Sequence, residues 1–365
     1  MCWEMSDRNL TESINLPILN WFYRLSRLPL RRLWLLVAVV GIIRTGIGFY
    51  GSRMLEVSQS LPKPIDAYQS FNLPGPILAR ILGITSTNGW IVLHLIVLPI
   101  FVLIVGKLLI RKVTGIEERR FLIIALGCSA LPSTLISQVG HYDTYLFLGS
   151  SIFALSTGYL SGFILAAFLG ITHFEQSMFM YLSLGFMSLA LGTHQTKRLI
   201  LAACTGVAVR FGLNFWTEFY DIAVPTRWSL MITRQGFGFQ MNLRLFFVHL
   251  FSFYGAAWAL VVSLIAISKP KIRKHLFLAI LAIPFIGFFV SFDGTRIFAN
   301  LAWPAFLTVC IWATRDVEVF RKISQTNSIT LLMFFLTPGI VTHIGGVQVV
   351  YEDIVRKVLE IVRII

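Results

Sequence analysis

Charge is what this chain has least of. Only 13% of its 365 residues are Asp, Glu, Lys or Arg, about half the share of a soluble domain. A water-soluble protein of this length could not cover its surface with so few charges. Cysteine is scarce too: Cys2, Cys128, Cys204 and Cys310 lie far apart, three of them inside apolar runs. No pair has metal-ligand spacing, and none sits in a loop where a disulfide would be natural. There is no HExxH, no CxxC and no DxD in an outer loop. Residues 1–28 hold acidic groups and no apolar core, which does not fit a cleavable signal. Soluble, disordered and collagen-like classes are excluded.

What is present in quantity is apolar side chain. Hydrophobic residues make up 56% of the chain and the mean hydropathy is +0.76. The expected fold is an all-α, polytopic transmembrane bundle in a single integral membrane domain over 1–365. Runs near the ~20 residues that cross a bilayer fall at 33–50, 90–106, 121–139, 142–157, 199–213, 245–267, 276–292, 297–313 and 329–344. The shorter runs 160–172 and 178–191 read as a tight pair, giving about 10–11 spans. Residues 51–89 and 210–244 are the two long outer loops.

The net charge of +14 follows from the bias of Lys and Arg towards the cytoplasmic side of membrane proteins and does not call for nucleic acid. With the N-terminus inside, nineteen of the 31 Lys and Arg fall on the cytoplasmic side, eleven on the other, and Arg44 lies within the first run. Reading 160–191 as one span would invert the later loops, so the charge pattern favours the hairpin. Localisation follows as multi-pass integral membrane, in the inner (plasma) membrane if the cell is bacterial. Two segments are expected to lie on the membrane. The stretch 14–34 mixes Trp21, Phe22 and Tyr23 with Arg24, Arg27, Arg31 and Arg32, within a cytoplasmic segment 1–32 whose arginines would meet anionic headgroups. The C-terminal stretch 346–365 sets Val347, Val350, Ile354, Val358, Val362 and Ile365 on one helical face.

A polar group near a bilayer is expensive and is a functional candidate by default. Here the non-basic polar clusters collect at the outer face. Gly140-His141-Tyr142-Asp143 opens the fourth run. Asp143 there either caps a helix or takes a proton from an attacking hydroxyl, with His141 as its partner or a metal ligand. Asp293-Gly294-Thr295-Arg296 opens the tenth run. Arg296 there either pairs with Asp293 or holds a phosphate with its planar fork of donors. His173, Glu175 and Gln176 mark the hairpin tip. The 210–244 loop carries Arg227 and Arg234 among aromatic residues that suit an interface or a sugar ring. Asp66 lies in the first outer loop.

A large first outer loop, a multi-span core and a Gly-x-x-Asp step at Gly140–Asp143 resemble the GT-C glycosyltransferases, which use polyprenyl-phosphate-linked sugars. The layout is also similar to bacterial polysaccharide polymerases, with Arg227 and Gly238 at the Arg, ten residues, Gly spacing associated with them. The resemblance implies an inverting transfer at the outer face in polysaccharide or glycolipid assembly. Asp66 or Asp143 would be the base, Arg296 with Arg227 or Arg234 would hold phosphate, and Asp293, His173 and Glu175 would support them. It implies as partners a lipid-linked sugar donor, a lipid or glycan acceptor and membrane lipids. It requires no particular cofactor and leaves a divalent metal open. The rivals are a lipid or small-solute transporter, which would place polar residues near the midplane, and a structural assembly subunit.

Overall fold

The computed structural model describes residues 17–65, 71–193, 195–222, 246–289, 294–343 and 346–349. Helices α1 (Pro17–Ser26), α2 (Leu30–Thr45), α3 (Ser52–Ser60) and α4 (Pro74–Ile81) precede the long α5 (Thr87–Lys112). Then come α6 (Ile116–Gly127), α7 (Ala130–Ser137), α8 (Asp143–Leu155), α9 (Tyr159–Leu191) and α10 (Thr196–Phe219). From residue 246 onwards follow α11 (Phe246–Tyr254), α12 (Trp258–Ile267), α13 (Pro270–Phe277), α14 (Ile283–Phe289), α15 (Gly294–Arg315), α16 (Val317–Ser324) and α17 (Asn327–Leu336).

Among the described residues, five stretches are long and apolar enough to cross a membrane: α5, α9, α10, α11 with α12, and α15. The pair α6–α7, bent by 53°, makes a sixth if it counts as one span. On α5 the side chains of Val92, Leu95, Ile96, Ile100 and Leu103 stand exposed, an arrangement that water would penalise and lipid does not. By contrast α15 is buried along nearly its whole length and forms the axis of the bundle. The chain is an all-α integral membrane protein.

The 33-residue α9 would measure about 50 Å if straight, well beyond the ~30 Å hydrocarbon core. It breaks at His173, whose φ of −169° and ψ of 95° are extended. The chain then folds back. A Cβ built on Gly162 would lie 2.9 Å from Arg198 Nε. The Arg198 guanidinium stacks 4.1 Å above the Phe153 ring, and that ring is 5.2 Å from Tyr181. A straight helix would hold residues 162 and 181 about 28 Å apart. At the tip, Ser177 Oγ donates to the Leu169 carbonyl at 3.0 Å. The hairpin expected from the charge pattern is therefore present, with its tip beside the start of α8.

Several expected spans are shorter or broken for local reasons. The run 276–292 becomes α13, one wide turn at Leu278–Ala282, and α14. Pro284 has no N–H to give the Ile280 carbonyl four residues back, and the Tyr254 hydroxyl donates to that carbonyl instead, at 2.6 Å. The run 329–344 is not a span. α17 stops at Leu336, and Ile340–His343 pairs antiparallel with Gly346–Val349. Pro338 disfavours helix before it, and the β-branched Ile340, Val341 and Thr342 suit a strand. The expected C-terminal helix over 346–365 is corrected at its start by that second strand; 350–365 lie outside the described residues.

Arginines close the carbonyl ends of four helices. Arg119 donates to Val113 O at 2.9 Å after α5, and Arg198 to Phe153 O and Ser156 Oγ, both at 2.8 Å, after α8. Arg273 reaches Ala266 O and Ser268 O after α12. Arg44 reaches Thr337 O at 2.8 Å and Pro338 O at 3.2 Å after α17. Each satisfies carbonyls that the helix leaves free and places positive charge at the negative end of the dipole. Three of the four lie at one end of the bundle, the basic end.

Candidate functional site

The opposite end holds the buried carboxylate, Asp143, with the buried Arg296 beside it. Gly140, at φ +96°, turns the chain into α8 in a space too tight for any side chain. A Cβ there would sit 2.2 Å from the Tyr50 carbonyl and 2.6 Å from Trp90 Nε1. Trp90 Nε1 donates to that same carbonyl at 3.2 Å, so α5 fixes the approach to His141. Further along α8, the Tyr145 hydroxyl lies 3.1 Å from His94 Nε2, and His94 Nδ1 lies 2.9 Å from the Trp90 carbonyl. Donation from tyrosine to Nε2, and from Nδ1–H to the carbonyl, satisfies all three groups.

Asp143 is 1% exposed. Its carboxylate caps no backbone N–H; side chains take it up. Asn300 Nδ2 donates to Oδ1 at 2.7 Å. Arg296 Nη1 and His141 Nδ1 approach Oδ2 at 3.3 and 3.0 Å. Arg296 Nη1 also lies 2.7 Å from His141 Nε2. Arg296 Nη1 is 2.8 Å from His141 Nδ1 as well; with Nδ1–H donating to Asp143, Nε2 is the ring nitrogen left to accept from the guanidinium. The Arg296 guanidinium also sits 5.3 Å from the Tyr142 ring.

Asn300 was not among the sequence candidates, yet with Gln176 of the hairpin tip it joins the site. The Asn300 amide donates to Gln176 Oε1 at 3.1 Å, and Gln176 Nε2 donates to the Tyr142 hydroxyl at 3.2 Å. The signal for Asn300 was spacing: it follows Arg296 by four residues, on one face of an apolar helix. Asn300 Oδ1, Thr144 Oγ1 and Gln138 Oε1 are buried and, among the described residues, receive no hydrogen bond.

His173 and Glu175 form the flank. His173 Nδ1 accepts from the Gln176 N–H at 3.4 Å, which makes His173 the cap of the returning half of α9. Its ring lies 4.9 Å from Tyr142. Glu175 is 3.4 Å from His173 Nδ1 and 3.8 Å from Arg210, which stacks on Phe71. Asp66, Arg227, Arg234 and Asp293 lie outside the described residues. Among the described residues no three His, Cys, Asp or Glu side chains converge as metal ligands. His141 and Asp143 meet against a guanidinium, whose charge opposes a cation there.

Depth matters as much as contact. Asp143 is the first residue of α8 and Arg296 the third of α15. The cluster therefore lies at the N-terminal ends of α8 and α15, away from the arginine-capped end of α8. No family model, curated protein or solved structure matches the chain.

Proposed function

We propose that the protein is a membrane-embedded glycosyltransferase. It moves a sugar from a polyprenyl-phosphate or pyrophosphate carrier to an acceptor at the outer face, in cell-surface polysaccharide or glycolipid assembly. The supporting observation is the buried Asp143–His141–Arg296–Asn300 cluster at the end of the bundle opposite the basic end. By the positive-inside rule that end faces outward. A transporter would gather its polar groups near the middle of the spans.

An ionised carboxylate has about four lone-pair directions, and three on Asp143 are occupied. The fourth accepts the proton of the acceptor hydroxyl as that oxygen bonds to the anomeric carbon and the carbon–oxygen bond to the carrier phosphate breaks. His141 and Asn300 keep the carboxylate oriented. Arg296 offers its remaining N–H groups to the departing phosphate, with Arg227 and Arg234 as further candidates. Asn300 Oδ1, Thr144 Oγ1 and Gln138 Oε1 supply acceptors for sugar hydroxyls. The test is mass spectrometry of lipid-linked intermediates in a strain lacking the protein. A carrier-linked glycan one step short of completion should accumulate, and a plasmid copy with wild-type Asp143 should clear it. An unchanged lipid-linked pool would refute the reading.

A further inference from the structure

We propose that the exposed corner between α1 and α2 is a headgroup site for anionic phospholipid. Four guanidinium groups, Arg24, Arg27, Arg31 and Arg32, fall within nine residues. The acid that meets them is Glu117, which pairs with Arg27 at 2.6 Å and also with Arg120. Arg24, Arg31 and Arg32 are exposed and, among the described residues, have no hydrogen bond or ion pair. Three like charges without counter-charge among the described residues repel one another, and an anion between them removes that cost.

The apolar neighbours choose the kind of anion. Trp21 and Tyr23 are each 52% exposed and Trp34 48%, with Ile18 and Leu35 also outward. Phe22 and Ser26 are buried against α2, α6 and α17, so α1 cannot roll over to hide these rings. Indole and phenol rings settle at the depth of lipid headgroups, and arginines reach outward from the same depth to phosphate. A soluble polyanion would meet exposed Ile18, Trp21 and Leu35 as apolar surface, whereas a phospholipid covers them with glycerol and acyl chain. The other basic segments are built differently: at α16, Lys322 is already paired with Glu318 at 2.9 Å.

The proposal is independent of the transferase reading, because the Asp143 cluster plays no part in it. It is tested by native mass spectrometry of the detergent-purified full chain, titrated with phosphatidylglycerol or with phosphatidylcholine. The wild type should retain phosphatidylglycerol selectively. Arg24→Gln/Arg31→Gln/Arg32→Gln should bind it roughly a hundredfold more weakly, since each surface charge near an anionic lipid counts for about a factor of five. All three positions are exposed, so the variant should fold; Arg315→Gln/Arg321→Gln/Lys322→Gln, also at exposed positions, serves as the matched charge control and should retain the lipid. Equal retention by the triple variant would overturn the site. So would equally tight phosphatidylcholine binding, which would reduce the corner to an aromatic anchor, or preferential binding of a short RNA over the lipid.

Discussion

Within the Asp143 cluster each side chain answers to a different demand, and substitutions separate them. Replacing Asp143 by Ala leaves the buried Arg296 without its carboxylate partner in the cluster, and should cost about 3–5 kcal/mol of stability. Changing both partners, Asp143→Asn/Arg296→Gln, should restore much of the melting temperature in detergent while transfer stays abolished. A double variant that transfers sugar would make the pair purely structural. Arg296→Lys keeps the charge but loses the planar fork. It should leave thermal stability almost unchanged and lower turnover about tenfold, the equivalent of ~1.4 kcal/mol. At this scale Asp143, His141 and Arg296 were legible in the sequence, because charge in an apolar context is conspicuous. That Arg296 meets Asp143 was not legible, since they are 153 positions apart. Asn300 was hidden because a single amide in an apolar helix resembles ordinary packing.

At the scale of elements, backbone hydrogen bonds decide where helices break. The Tyr254 hydroxyl stands in for the N–H that Pro284 lacks, so Tyr254→Phe should cost about 1–3 kcal/mol by leaving a buried carbonyl unpaired. Adding Pro284→Ala restores an N–H four residues from that carbonyl and should recover part of the loss, measured as melting temperature. No recovery would mean that the wide turn is held by packing instead. The break at His173 has its own cap. His173→Asn should therefore keep stability, whereas His173→Leu should lose about 1 kcal/mol. If His173→Asn folds normally yet abolishes transfer, the ring acts on substrate beyond its capping. The polar tetrad 173–176 announced this break in advance. The 340–349 hairpin gave no such notice, because a short β-branched apolar run reads equally as strand or as span.

At the scale of the whole molecule, the fold-back of α9 and the charge asymmetry make one joint statement about sidedness. If α9 crossed once, Thr157 before it and Thr193 after it would emerge on opposite faces of the membrane. As a hairpin it returns both to the face that carries Lys271, where arginines cap α5, α8 and α12. Thr157, Thr193 and Lys271 are all exposed, so each can be replaced by cysteine without disturbing the interior. In a background with Cys2, Cys128, Cys204 and Cys310 replaced, all three single cysteines should resist a membrane-impermeant maleimide in intact cells and react once the membrane is opened. Labelling of all three from outside would invert the protein and put the Asp143 cluster at the cytoplasmic face, where lipid-linked transfer would need a different donor side. Labelling of Thr193→Cys and Lys271→Cys but not Thr157→Cys would mean that α9 crosses once, against the contacts of Arg198 with Gly162 and Phe153. Protection of all three is the outcome that keeps the hairpin, the basic end and the outward site consistent with one another.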